Sequence, residues 1–491
     1  MTLATHDTLE ALDLAIRAGH GAEAIARLSG LTSGKPPRAH AAELARAAWR
    51  VGLADVGLRL LSPLVRPAQR RPVTATAVER AEYSACLVKA GAIADGERIL
   101  AGLDAEALPR VHLYRAFARV ARWDYAGSIP FLQQYLGAKG LPSYDRLVGR
   151  VNLAAAYVLE RRHLAAEHLL RELLHTSSVQ RLQLALGRVL ELSAENFLFQ
   201  RRWDRAKAFV DRAHRTLEGT EGIDLFITEK TAAVTDFLSK PGPRALESLR
   251  SVRKRAEERH HWESVRDCDR ALAIGTRDEA LLSRVYFGTP YDSFRRWLLL
   301  DCPRYQPPRV YDWRCGRKGG PVLDMALGKV DARRAGLQPG ELLHRLISTL
   351  ASDFYRPFST AALHSALYPD EIYNPESSPV RVRQAMKRLR QWLQSKRFPL
   401  QIDEEEGRYR LAGDGPCTVR LTPQTQPADR RTLLLLRLRD TWPDSVFSAA
   451  EAGRLLGASA RTALRLIDAA VAEGRIERVR EWRSTRYRFA A

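Results

Sequence analysis

The chain has 491 residues, 27% charged and 45% hydrophobic, which is too long for one core and too apolar for global disorder; at about 100 to 200 residues per domain, two to four domains are expected. Lys and Arg number 78 against 57 Asp and Glu, a net charge of +21 that favours a polyanionic partner, nucleic acid above all. No run of about 18 apolar residues is present to span a membrane, and "MTLATHDTLE" lacks the basic start and apolar core of a signal peptide, so a cytoplasmic protein without a membrane partner is expected.

From Thr5 to about Leu300 nearly every segment reads as helix, with apolar residues recurring at three and four and Gly or Pro as punctuation. The stretches "RWDYAGS", "RHLAAEH" and "RWDRAKA" place Ala126, Ala166 and Ala206 at a constant step of 40, and a weaker match, "GPRALES" with Ala245, follows after 39. Each unit holds two helices. A small Ala near the start of the second lets it approach the first, and an aromatic or His three residues earlier wedges the turn. The pattern resembles tetratricopeptide repeats, although their usual unit is about 34 residues. Residues 1–300 are therefore read as an α-solenoid of about seven hairpins, whose concave groove suits a peptide, a protein or a second subunit. Arg161, Arg162, Arg201 and Arg202 recur at the turns, either lining an anionic face or simply solvated. His260 and His261, beside Glu257, Glu258 and Glu263, are read as part of a solvated helix, so no metal is expected. Cys86, Cys268, Cys302, Cys315 and Cys417 lie far apart without a C-x-x-C pair and are expected as reduced thiols in or near the core.

Prolines and glycines in "LLLDCPRYQPPRVYDWRCGRKGGP" break the helical pattern and place a linker near residues 300–308. Charge density rises after it: residues 309–491 hold 32 basic and 21 acidic side chains, +11 of the total. Short β-like pieces ("VYDWRC", "VLDMAL", "GKVDA") precede the helix "PGELLHRLISTLASDF", the short helix "STAALHSALY" and the amphipathic stretch "SSPVRVRQAMKRLRQWL". In that stretch Ser378 can cap, Pro379 suits the first turn, and Val382, Ala385, Met386, Leu389 and Leu393 make a buried stripe. Arg381, Arg383, Gln384, Lys387, Arg388, Arg390 and Gln391 are left on the other side. The hairpin "PLQIDEEEGRYRL" follows.

This order of elements resembles the OmpR-type winged helix that SARP regulators also use. Leu337 with Glu341, then Ser359, Leu363, Leu367 and Tyr368, then Met386, Leu389, Arg390 and Leu393, then Gly407, Tyr409, Arg410 and Leu411 carry the likeness across residues 309–412. His344 and Arg345 depart from it, falling where that family is apolar. The resemblance implies that Arg388 reaches a base edge, with Lys387 and Arg390 nearer phosphates. The hairpin also departs from it. Asp403, Glu404, Glu405 and Glu406 would be repelled by phosphates, so this wing is expected to point away from DNA or to face protein.

Between Gly413 and Asp429 the chain reads as a polar linker with room for one strand. "RRTLLLLRLRDTW" then reads as a helix, and "FSAAEAGRLLGASARTALRLIDAAVAEGRIERV" as helix-turn-helix. Ser448 and Glu451 form a capping box, Gly457 a turn, and Ser459 the next cap. Leu464, Ile467 and Val471 face the core, leaving Arg461, Thr462 and Arg465 exposed. The basic ending "GRIERVREWRSTRYRF" alternates like a hairpin and resembles the wing of MarR- or IclR-like regulators. By that likeness Arg478, Arg480, Arg483, Arg486 and Arg488 meet phosphates, with Trp482 near the tip.

No phosphate-cradling Gly loop, nucleophile elbow, H-E-x-x-H or C-x-x-C pattern appears, so neither catalysis nor a cofactor is expected. The expected fold is mainly α: a tetratricopeptide-like α-solenoid (1–300) plus two C-terminal α+β winged helices (309–412 and 428–491). The resemblances imply a bacterial transcription regulator that binds duplex DNA. RNA polymerase or another protein or peptide is left open as a partner of the solenoid, and homodimerisation is left open too. A scaffold whose winged helices dock proteins is the alternative, and RNA binding a third.

Overall fold

The computed structural model describes residues 2–66, 74–220, 223–317, 319–326, 328–331, 336–422, 434–435, 438–439, 441–456, 458–481 and 484–490. The chain is predominantly helical, with small sheets confined to the C-terminal region. It divides into two compact units, one taking in residues up to Pro307 with Asp353–Arg383 and Glu404–Arg410, the other Pro308–Ser352, Gln384–Asp403 and everything from Leu411.

The first unit opens with consecutive helical hairpins: α1 (Thr2–Ala18) with α2 (Gly21–Thr32), α3 (Arg38–Arg50) with α4 (Ala54–Val65), α5 (Ala77–Ala90) with α6 (Ile93–Ala101), and α7 (Arg110–Val120) with α8 (Tyr125–Gly137). They continue as α9 (Ser143–Leu159) with α10 (His163–Val179), α11 (Gln183–Phe199) with α12 (Trp203–Leu217), α13 (Ile223–Ser239) with α14 (Pro243–Glu258), and α15 (Trp262–Thr276) with α16 (Glu279–Phe287). That makes eight pairs among the described residues, one more than the sequence suggests. The helix α17 (Asp292–Asp301) ends the array where the proline-rich linker is expected.

The period of 40 is a property of the turns. From α9 to α11 each helix has 17 residues and a three-residue connection. The middle residue of each connection, Arg161, Arg181 or Arg201, is left-handed, with φ of 55°, 53° and 57°. The next amide then reaches back to close the turn, Arg162 N to Tyr157 O at 2.8 Å, Leu182 N to Ser177 O at 3.0 Å and Arg202 N to Phe197 O at 2.9 Å. This is a Schellman stop, for which glycine is the usual left-handed residue. Glycine fills it early in the chain, at Gly19, Gly52 and Gly91. Ala166 and Ala206 are fully buried, as close approach of paired helices requires. The helices α3, α5 and α7 pack on one another in turn, as do α9, α11, α13 and α15, so each run of odd-numbered helices forms a layer.

The segment Asp353–Arg383 joins this unit through a buried ion pair. Arg266 on α15 is wholly buried; its Nη2 donates to both carboxylate oxygens of Asp353 at 2.9 and 2.7 Å, and its Nη1 to Glu263 at 2.8 Å. The short helix α19 (Thr360–Leu367) packs on α5 and α6. Buried Asp95 accepts from Ser365 Oγ at 2.8 Å and from Tyr373 N at 2.7 Å, and the Tyr83 hydroxyl donates to Tyr373 O at 3.1 Å. Ala361 and Tyr373 thus share a core with Leu58, Leu61, Tyr83 and Leu87.

In the second unit, β1 (Tyr311–Cys315), β2 (Val322–Asp324) and β3 (Lys329–Val330) precede α18 (Leu342–Leu350). The polar linker supplies their missing partner: β7 (Cys417–Leu421) lies antiparallel to β1 and parallel to β2, giving the order β1-β7-β2-β3. Cys315 sits directly across from Cys417; both are buried free thiols, as are Cys86 and Cys268, with Cys302 half-buried. His344 is buried where an apolar residue is expected, and it fits because both ring nitrogens are used: Nε2 lies 2.7 Å from Met325 O, and Nδ1 accepts from Gly340 N at 3.2 Å. Burial holds its pKa below the usual value. The helix expected over "RRTLLLLRLRDTW" falls largely outside the described residues, but Leu435 and Leu438 are buried in a core with Phe447, Ile467 and Tyr487.

Candidate nucleic-acid interface

Helix α20 (Ser378–Ser395) leads into the hairpin β5 (Leu400–Glu405) and β6 (Arg408–Gly413). Its apolar stripe behaves as the spacing predicts, with Val382, Ala385, Met386, Leu389 and Leu393 all buried. Ser378 differs from its expected role. It is the first helical residue, and its Oγ accepts from Asn374 N at 3.0 Å, while Asn374 Oδ1 accepts from Glu376 N at 2.8 Å. The cap function therefore falls to the preceding Asn turn.

The polar side of α20 is divided in two. Arg383, Gln384, Lys387, Arg388 and Gln391 are exposed, and the three cations among them make no ion pair with described residues. Positions 383 and 387, and likewise 384, 388 and 391, share a face at helical spacing. Arg381 and Arg390 are engaged instead. Arg381 ion-pairs with Glu371 and stacks 3.9 Å from the Tyr368 ring centroid, and that carboxylate raises its pKa. Arg390 is half-buried and donates to Ile402 O at 3.1 Å. These two arginines hold the helix in place and leave contact to the other five residues of its polar side.

The acidic hairpin keeps Glu404, Glu405 and Glu406 exposed and Asp403 half-buried. Glu405, itself exposed, lies 3.9 Å from Nε2 of His260. His260 and His261 are not within a helix. They form the turn between α14 and α15, with His260 left-handed (φ 55°) and stacked on Trp262, and His261 Nδ1 2.8 Å from Ser264 Oγ. Among the described residues no group of three His, Cys, Asp or Glu could hold a metal ion.

The C-terminal helix-turn-helix comprises Ala449–Leu456 and Ala460–Ala472. Its capping box is formed: Ser448 N donates to Glu451 Oε2 at 2.7 Å and Glu451 N to Ser448 Oγ at 3.2 Å. Ser459 caps the second helix by accepting from Thr462 N at 3.1 Å. Arg461, Thr462 and Arg465 are exposed near its start, and Ile467 is buried with Leu464 and Val471 against it. Gly457 lies outside the described residues.

Strands β8 (Ile476–Glu481) and β9 (Ser484–Phe489) form the terminal hairpin. Its arginines are less free than the sequence suggests. Arg478 pairs with Asp468 at 2.6 Å, Arg488 with Glu477 at 3.1 Å, and half-buried Arg486 with the capping-box residue Glu451 at 3.0 Å. Arg483 and Trp482 lie outside the described residues, as does the side chain of Arg480. Among the solenoid arginines, Arg161 binds Asp301 at 2.7 Å, whereas Arg162, Arg201 and Arg202 are exposed.

Two exposed basic helix faces, each over buried apolar residues of its own helix, are what the geometry offers a polyanion. No protein-family model matches the chain, and no curated protein matches it.

Proposed function

We propose that this chain is a DNA-binding transcription regulator, with the helical array receiving a signal and two winged helices contacting duplex DNA. The observation that carries the reading is the divided surface of α20: Arg383, Gln384, Lys387 and Arg388 stand exposed over a fully buried stripe. Guanidinium forks suit guanine edges and lysines suit phosphates, so such a face combines readout with sequence-independent attraction. Arg461, Thr462 and Arg465 supply a second face of the same kind. Binding by two helices on one chain needs no covalent chemistry, and its affinity falls steeply with salt.

The ion-paired arginines of the terminal hairpin and the exposed carboxylates of the acidic hairpin favour a second reading, in which the C-terminal modules dock proteins. A mobility-shift assay with the whole chain separates the two. Retardation of duplex at about 0.1 M salt, with duplex outcompeting structured RNA, supports the regulator. Absence of duplex affinity, together with capture of protein partners after nuclease treatment, supports the scaffold.

A further inference from the structure

Cys315 closes β1, Cys417 opens β7, and the antiparallel register sets the two directly opposite each other. Opposite residues project from the same face of a sheet, with Cα atoms about 4.5 to 5.5 Å apart. A disulfide spans Cα separations of about 4.4 to 6.8 Å, so the backbone already sets this pair at bridging distance. Both are free thiols. The other three cysteines are placed differently: Cys86, Cys268 and Cys302 belong to three separate apolar clusters of the first unit.

The surroundings give the two thiols different parts. In the order β1-β7-β2-β3, β1 is an edge strand and β7 an inner one. Cys315 is 8% exposed and Cys417 1%. Cys417 donates to Pro399 O at 3.3 Å, and its pKa is pushed up by Cys315 beside it and by burial, so it holds its proton. Cys315 is therefore the thiol that an oxidant reaches first, and Cys417 the one placed to resolve the product. Gly413, at the end of β6, leaves room for the pair: a Cβ there would come within 2.5 Å of Cys315 Cβ and 2.9 Å of its sulfur.

We infer that Cys315 and Cys417 are a site of reversible oxidation, joined in an intrachain disulfide when the chain meets a hydroperoxide. The Cys315 sulfur takes one peroxide oxygen as the O–O bond breaks, the other oxygen leaves as water with the thiol proton, and a sulfenic acid results. The Cys417 sulfur then displaces that hydroxyl, which leaves with the second thiol proton as water. Two thiols and one hydrogen peroxide thus become one disulfide and two waters, and a dithiol reverses the bond. Pro399 O loses its thiol donor but keeps Asp414 N at 3.0 Å, so the connection after α20 stays anchored. The new bond closes a loop over residues 316–416, which contains α20. Any consequence for DNA affinity rests on the regulator reading, whereas the bond itself does not.

The test therefore uses the whole chain without DNA. It is treated with hydrogen peroxide, denatured, alkylated and weighed intact, so that surviving thiols are counted. Their number is expected to fall from five to three, and dithiothreitol is expected to restore all five. Peptide mapping is expected to join the peptides of Cys315 and Cys417 within one chain. Cys315→Ala is expected to slow thiol loss at least tenfold, whereas Cys302→Ala leaves it unchanged. The inference is overturned if all five thiols survive peroxide, if the mapped bond joins another pair or two chains, or if folded Cys315→Ala loses thiols at the parent's rate. Should that variant fail to fold, mapping in the parent decides alone.

Discussion

At the scale of single residues, the two most consequential are buried charges whose partners lie far away in sequence. Arg266 and Asp353 are 87 positions apart, with side chains 0% and 3% exposed, and Tyr291 and Tyr355 lie over the guanidinium at 5.0 and 5.3 Å. Removing one member of such a pair strands the other, so Asp353→Ala should destabilise the first unit by about 3 to 5 kcal/mol in denaturant unfolding. Glu195 acts in the opposite sense. Its carboxyl titrates near 7 in the folded chain, facing Glu191 and Arg188 on its own helix, Lys230 on α13, Asp267 on α15 and Tyr125 on α8. Between its ordinary value of 4.5 and 7, the folded chain holds a proton that the unfolded chain has released, so stability falls as pH rises through that window. Glu195→Gln should match the parent at pH 5 and exceed it by about 1 to 3 kcal/mol at pH 8, read from paired unfolding curves. Neither site was legible in the sequence. A charged residue inside an amphipathic helix looks the same whether it meets solvent or a partner many residues distant.

At the scale of elements, the sequence was far more informative. Periodicity within one helix is a local signal, so the stripe of α20 and the caps at Ser448 and Ser459 could be read directly. The 40-residue step could be read too, but its cause could not, since nothing in "ERRH" or "VQRLQ" announces a left-handed arginine. That cause makes a prediction. Arg181 is exposed and makes no ion pair with described residues, so Arg181→Gly relieves backbone strain at no visible loss of contact. A gain of about 0.5 to 1 kcal/mol is expected in thermal unfolding, and Arg181→Val should lower stability. The linker left room for one strand, but the pairing of β7 was hidden because its partners lie about 96 to 110 residues upstream, in β2 and β1, and pairing over such distances leaves no periodic trace.

At the scale of the whole molecule, the compact units do not follow chain order. Helix α19, expected to belong to a C-terminal domain, is packed on α5 and α6 with Asp95 and Tyr83 as its anchors. The sequence places the helical region before the small sheets but does not reveal that Asp353–Arg383 groups with the helices up to Pro307. A fragment beginning near residue 309 would lack those anchors, so DNA binding is properly measured on the whole chain. The central claim is that the exposed cations of α20 meet a duplex. Its most direct test is fluorescence anisotropy across a salt series, comparing the parent with Arg383→Ala/Lys387→Ala/Arg388→Ala. Loss of the Lys387 phosphate contact should flatten the slope of log affinity against log salt by about 1, and loss of the two guanidinium contacts should weaken binding further at every salt concentration. An unchanged slope and affinity in that folded variant would contradict the account.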